Sequence, residues 1–268
     1  THLHYTPNDE TSQHDADYRA RLNVRARNET EYGTLSSRIR FVAASASGGH
    51  DDVLSAAEGP GSAGVVVDTA LISLAGFSVG YDDSYWHRVA DYGYYEARFD
   101  GLYIFQQGLH IDYTYAANGW TFTVGAEDGN TSGEAGAPDF YAGFSYTAGS
   151  LYVAGVVYHD SSQGDAAWKL RVDYDFGANG LKLGGYYAHD DGKTDYVKGH
   201  VWGVTARMNL KDNMVIFAGY SAFTDLFFGS PLNAAGNDDG SAENWTVGLA
   251  WDIVPGLRIQ PEYSVTTF

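Results

Sequence analysis

Four arginines, Arg19, Arg21, Arg25 and Arg27, occupy odd positions of one stretch whose even positions are Ala20, Leu22, Val24 and Ala26. Side chains of an extended chain alternate between faces, so this spacing sets all four guanidiniums on one side and an apolar row on the other. Arg38 and Arg40 repeat the arrangement against Ile39 and Phe41, which brings six of the 16 basic residues onto two neighbouring stretches. The acidic counterpart is segment 83–106, which carries Asp83, Asp91, Glu96 and Asp100 among many aromatic rings. Opposed charges across a narrow, water-filled gap create a transverse field that orients dipolar molecules and repels apolar ones. That chemistry handles ions and dipoles; it makes no bonds. Two plainer readings stay open: a solvated face of interleaved salt bridges for the arginines, and a packed external loop at a subunit contact for 83–106.

Bond-making chemistry has little to stand on. The nine His are scattered and no acid-base constellation lies in register, so no enzyme is expected. His2 and His4 share a strand face, but two ligands fall short of a metal site. The acidic pairs Asp51-Asp52, Asp190-Asp191 and Asp238-Asp239 could hold Ca²⁺, although none follows an EF-hand spacing and solvated loops explain them as well. No other cofactor is expected.

The elements that must position these charges have period two. Trp245, Val247, Leu249, Trp251 and Ile253 alternate with Thr246, Gly248, Ala250 and Asp252. The same pattern recurs from Leu109, Trp120, Trp168 and Trp202, and nowhere is there a comparably long helical period. Tight-turn sequences such as Ala117-Asn118-Gly119 and Lys211-Asp212-Asn213 alternate with longer Gly-rich acidic stretches at 47–63, 127–139, 190–198 and 228–243. Fifteen strands are expected: 2–6, 17–28, 33–46, 64–74, 76–82, 107–116, 119–128, 139–148, 150–160, 166–176, 180–190, 199–210, 213–223, 243–253 and 256–266.

Short turns alternating with long loops are the rhythm of an outer-membrane β-barrel. Trp and Tyr near strand ends on the apolar parity suit its interfacial girdle. A charge facing lipid at mid-bilayer costs about 2–4 kcal/mol, so in such a barrel the arginines must point inward. The fold class expected is therefore all-β, a transmembrane antiparallel barrel forming one domain over 1–268, with 83–106 folded into the lumen as a constriction loop. A soluble β-sandwich or lectin-like protein also alternates, and parity alone does not separate the two.

The totals agree. There are 34 acidic residues and a formal charge of −18, which disfavours nucleic acid; there is no Cys, which removes disulfides and thiolate metal sites. No window approaches the ~18–20 apolar residues of a spanning helix, and the first residues lack the regions of a signal peptide, so a membrane role must come from strands of a processed or truncated chain.

The sequence resembles the sixteen-stranded trimeric porins of alphaproteobacteria. The likeness is carried, in family order, by Asn28-Glu29-Thr30-Glu31-Tyr32-Gly33-Thr34-Leu35, by Ala70-Leu71-Ile72-Ser73-Leu74-Ala75-Gly76-Phe77-Ser78-Val79-Gly80, and by Ile253-Val254-Pro255-Gly256-Leu257. The resemblance implies passive diffusion of small polar solutes and ions through the bacterial outer membrane, a homotrimer among outer-membrane lipid and lipopolysaccharide, and an inward third loop. A substrate-specific sugar channel, with the tyrosines of 83–106 as a stacking slide, is the alternative. Phe268 departs from the family, falling out of phase with Leu257, Ile259, Tyr263 and Val265; with fifteen strands visible of about sixteen, part of the first strand and the sixteenth are expected outside these residues.

Overall fold

The computed structural model describes residues 2–6, 13–45, 64–90, 93–97, 107–128, 137–190, 194, 196, 197, 199–226 and 240–267. Its contacts fall into two compact units, Thr1–Asp82 with Leu109–Ile111, and Asp83–Gly108 with Asp112–Phe268.

The first unit carries β1 (His2–Thr6), β2 (Gln13–Thr30), β3 (Gly33–Ser45), β4 (Gly64–Leu74) and β5 (Phe77–Asp83, its last residue in the second unit), paired antiparallel in sequence order. The alternation of β2 holds along its whole pairing with β3: Leu22 and Val24 are exposed on one face, and Arg25 stands directly opposite Arg38 on the other. The expected single period of β4 is interrupted. Arg40 pairs with Thr69 and Phe41 with Val67, which leaves Asp68 as the extra residue of a β-bulge. The bulge reverses the parity, so that Val65 and Val67 before it and Ile72 after it are all exposed, while Asp68 and Thr69 are both buried on the opposite face.

The second unit opens with one short helix, α1 (Tyr85–Ala90), and continues through β6 (Gln107–Ala117), β7 (Trp120–Glu127), β8 (Asp139–Ala148), β9 (Leu151–Asp160), β10 (Asp165–Asp175), β11 (Lys182–His189), β12 (His200–Lys211), β13 (Met214–Leu226) and β14 (Gly240–Val254). Sequence neighbours pair, and the last stretch forms β15 (Leu257–Ile259) and β16 (Glu262–Thr267), both on β14. Among the described residues sixteen segments thus make fifteen strand positions, because Gln260 and Pro261 divide the last one. Proline has no N–H to give a ladder, although its carbonyl still accepts from Leu249 N at 3.0 Å.

One end of the strands carries turns of two residues, such as Asn118-Gly119 and Asp212-Asn213, with Asn118 and Gly119 at the positive φ that such turns require. The other end carries the long connections. In the second unit the apolar parity is exposed, with Trp120, Trp168, Trp202, Trp245 and Trp251 open. The polar parity is buried and includes Asp112, Glu127, Lys169, Arg171, Thr205 and Asn244. A soluble domain would bury the greasy face. Here the wet face is the covered one, and residues 84–90 and 93–97 lie over it.

Candidate functional site

The helix α1 starts at Ser84, whose carbonyl accepts from His87 N at 2.9 Å and Arg88 N at 3.1 Å. Its position is set by Glu127 of β7, a carboxylate only 3% exposed. Ser84 Oγ donates to Glu127 Oε1 at 2.6 Å, and Tyr158 OH and Tyr85 N donate to Oε2 at 2.9 and 3.3 Å. Tyr196 OH donates to Asp139 Oδ2 at 2.8 Å and lies 3.2 Å from Glu127 Oε1. A buried carboxylate is tolerable when its oxygens are filled this way. The rings of Tyr85, Tyr141, Tyr158 and Tyr196 form a continuous stack with successive centroids 4.9, 4.9 and 4.3 Å apart. Burial, and then the nearby Glu127 charge, pushes the Tyr196 phenol above its ordinary range, so it stays a donor.

Further along, the described residues of the segment reach β6, β9, β10, β13 and β14. Arg88 Nη2 donates to Asp112 Oδ2 at 2.9 Å, and Tyr152 OH donates to the Val89 carbonyl at 2.6 Å. Lys169 Nζ sits 4.9 Å from the centre of the Trp86 ring, and the Arg171 guanidinium sits 5.4 Å from that of Tyr95. Arg171, 1% exposed, also donates to the Gly93 carbonyl at 3.2 Å and to Asp173 Oδ2 at 2.8 Å. Tyr94 OH lies 2.8 Å from Ser221 Oγ and 3.0 Å from Asn244 Oδ1. Its ring lies flat over Gly219, where any β-carbon would collide with it, and Gly143 would put one within 2.5 Å of the Tyr85 ring. Glycine in the wall under tyrosine from the segment accounts for part of the joint excess of these two residues.

The segment ends at a clamp. Glu96 has a left-handed backbone, φ 62°, which costs a residue with a β-carbon about 1–2 kcal/mol. Arg207 Nη1 donates to Oε1 at 2.6 Å and Arg258 Nη1 to Oε2 at 2.8 Å, while Gln260 Nε2 donates to the Glu96 carbonyl at 2.6 Å. Arg258 is itself held by Asp252 through Nε and Nη2 at 2.8 and 2.9 Å. Arg207 lies four residues from the end of β12 at the short-turn side, so a segment that departs from the long-loop side reaches deep along the inner face.

The first unit has its own inner network. Arg40 Nε donates to the bulge residue Asp68 at 2.6 Å, Thr69 Oγ1 donates to Asp82 Oδ1 at 3.0 Å, and Arg38 Nη1 lies 3.8 Å from Asp82 Oδ2. The bulge turns Asp68 and Thr69 to one side, so that Asp68 meets Arg40 while Thr69 holds Asp82, the β5 carboxylate near Arg38.

The family model described as "Porin subfamily" matches residues 1–268. The chain belongs to this porin family. Porin Omp2b of Brucella abortus (strain 2308) is 27% identical over 277 residues, 95% of this chain and 71% of that protein. Its counterpart in Brucella neotomae is 28% identical over 272 residues with the same coverage. Among solved structures, the outer membrane channel DcaP of Acinetobacter baumannii superposes with a TM-score of 0.68 at 15% identity, covering 96% of this chain and 80% of that one. A variant of the Rh. blastica porin gives 0.61 at 14% identity, covering 94% and 86%. The fold is thus that of the antiparallel transmembrane β-barrels, and this porin is a bacterial outer-membrane channel for passive diffusion of small hydrophilic solutes and ions.

Of the residues singled out in the porin sequence, Arg21, Arg25, Arg27, Arg38 and Arg40 all stand on the face of β2 and β3 opposite the exposed apolar row. For Arg19 only the strand position is described, opposite Ala44. Asp83 ends β5 and accepts from Gln107 Nε2 at 2.7 Å; Asp91 and Asp100 lie outside the described residues. Glu96 finds its arginines on β12 and β15, residues that the sequence reading did not single out. Both stood on a polar parity, which was the available signal; their pairing was not readable from spacing. The acidic pairs considered for Ca²⁺ lie outside the described residues except Asp190, whose carboxylate accepts from Thr194 Oγ1 and, at 2.8 Å, from Gly199 N. Among the described residues no three His, Asp or Glu side chains gather as a metal site.

Proposed function

We propose that segment 83–106 is the constriction of this porin and that the arginines of β2 and β3 give its lumen a basic wall. The observation that carries the reading is the seating of residues 84–90 and 93–97 on the polar side of the strands, from Glu127 on β7 to Arg258 on β15. A segment so held narrows the aqueous path and fixes where its carboxylates stand. Tyr85, Trp86 and Tyr94 are 6, 3 and 5% exposed, with their ring faces used in packing, which takes away the motive for a sugar slide along them. The test is planar-bilayer recording of a Tyr94→Ala, Glu96→Ala double variant. Its conductance should rise and its current should fluctuate; a steady wild-type conductance would overturn the constriction.

We also propose a homotrimer in contact with outer-membrane lipid and lipopolysaccharide. Support comes from the exposed rows of the two units. In the second, Trp120, Trp168, Trp202, Trp245 and Trp251 are exposed, as at a membrane interface, whereas residues 1–82 contain no Trp and expose Leu22, Val65, Val67, Ile72 and Phe77. A wall without tryptophan anchors suits a protein neighbour. Native mass in mild detergent should equal three chains, and the mass of one chain would count against the trimer.

A further inference from the structure

Among the described residues the arginines divide by what they hold. Arg40, Arg88, Arg171, Arg207 and Arg258 each donate to a carboxylate at 2.6–2.9 Å. Arg25, Arg27 and Arg38, neighbours on the polar parity of β2 and β3, have no carboxylate within hydrogen-bond distance, and Arg38 comes only to 3.8 Å from Asp82. Arg38 Nε is buried and meets no acceptor. Arg38 stands on an inner strand of its unit, with β2 and β4 both paired to it, so its surroundings are complete. The register puts Arg25, Arg38, Leu71 and Gly80 in one row across β2 to β5, and Arg27 and Ser36 in the next. The fourth strand adds no side chain to the first row: a β-carbon on Gly80 would fall 2.0 Å from the Ala70 carbonyl oxygen. Two guanidiniums opposite each other, on β-carbons about 4.5–5.5 Å apart, thus face open space with donors and no acceptor.

We propose that Arg25 and Arg38, with Arg27 beside them, form a saturable site for a phosphate dianion, free or as a small monoester, in passage through the pore. The inference rests on reading β2 and β3 as a lumen wall, and it adds a discrete site to that diffuse basic field. A guanidinium fork takes two oxygens of one anion. A carboxylate is filled by one such fork, whereas the tetrahedral phosphate has oxygens left for the second guanidinium and cancels the repulsion between the two. The charged groups facing this place from the strands around it leave the cations in excess. Asp68 is taken by Arg40 at 2.6 Å, Asp82 is held by Thr69 Oγ1 at 3.0 Å, and Glu29 accepts from Thr34 Oγ1 at 2.9 Å one step beyond Arg27.

The full chain in planar bilayers tests this, with inorganic phosphate or glycerol phosphate replacing part of the chloride at neutral pH and constant ionic strength. Wild-type chloride current should fall along a saturating curve as phosphate is added, and acetate at equal charge should block far less. Arg38→Lys keeps the charge without the fork and should weaken the half-blocking concentration of phosphate roughly tenfold, as loss of a charge-assisted hydrogen bond does. A half-blocking concentration equal to that of wild type would overturn the site. Should the variants fail to fold, wild type alone decides: a linear dependence on phosphate, or equal block by acetate, overturns it. The Arg25→Gln, Arg38→Gln variant separates the two readings. If its reversal potential shifts toward cations while wild type shows no saturable block, the basic wall stands and the site falls; if the potential does not move, both fall.

Discussion

Glu96 and Arg258 stand 162 positions apart in the chain, yet the guanidinium of one donates to the carboxylate of the other at 2.8 Å. With Arg207 on the second carboxylate oxygen and Gln260 on the carbonyl, that contact keeps a left-handed residue in place at the inner end of the segment. Glu96→Gln keeps the shape and removes the charge. It should leave the barrel folded, since both arginines retain partial solvent access and such pairs contribute about 1 kcal/mol or less, and should show as added flicker in single-channel records. A quiet wild-type trace would mean that the clamp does not hold the segment.

Gly219→Val should expel the Tyr94 ring and cost about 1–3 kcal/mol, as overpacking does. Unfolding followed by gel migration of folded and unfolded forms measures the loss. The second variant Tyr94→Ala, Gly219→Val should recover part of that stability without recovering wild-type conductance, because the clash is gone but the anchor is too.

Glu127→Ala should leave Ser84, Tyr158 and the Tyr85 amide without their acceptor. Each orphaned buried donor costs about 1–3 kcal/mol. Tyr158→Phe removes one donor and should cost less than half as much as Glu127→Ala. Equal losses in the two variants would show that Glu127 is not the hub of this cluster.

Neutralising Arg21, Arg25 and Arg38 to Gln should move the reversal potential toward cations and slow the entry of anionic solutes. Arg25 and Arg38 stand directly opposite each other, an arrangement of like charges that costs stability in a sheet. Relief of that repulsion offsets loss of the Arg38 contact with Asp82, so the triple variant should stay within about 1 kcal/mol of wild type. Unchanged selectivity would remove these arginines from the conduction path.

Burial raises the phenols of Tyr85, Tyr95 and Tyr196, with the hydrogen bond to Asp173 adding to the shift at Tyr95 and the Glu127 charge at Tyr196. A phenol raised in the folded state contributes stability that is complete below its ordinary value, about 10. That contribution is lost as pH climbs from there through the folded values. In an absorbance titration a subset of tyrosines should ionise only as the segment lets go. A single class titrating near the ordinary phenol value would contradict the packing described for these rings.

The strands were legible because parity is a local signal. Trp168, Leu170 and Val172 against Lys169, Arg171 and Asp173 could be assigned to two faces without knowing what lay beyond either. The bulge at Asp68 was not legible, since a one-residue slip leaves each half-strand with a sound alternation and differs only in how the halves join. The break at Pro261 was hidden in the same way, inside a run that otherwise kept its period. Helix α1 had no signal in six residues, Tyr-Trp-His-Arg-Val-Ala, because its start depends on Glu127 rather than on its own sequence. The arginine rows stood out by density, while Arg207 and Arg258, single on their strands, were passed over. A density of like charge can be seen in one strand; a salt bridge needs two.

The anchors of segment 84–97 are met in order along the chain: Asp112 and Glu127 first, then the tyrosines of β8 and β9, then β10, β12 and β13, and last Arg258 and Gln260. Assembly of the pore therefore has a direction. The N-terminal side of the segment can dock while most of the sheet is still unformed, but its tip has no complete seat until the hairpin at Pro255-Gly256 has turned. Contacts of such long sequence separation form late, because the intervening chain must first be ordered. Seating the tip of the segment is therefore a late event of folding, and a chain arrested before that hairpin would hold a wall with an unsecured gate.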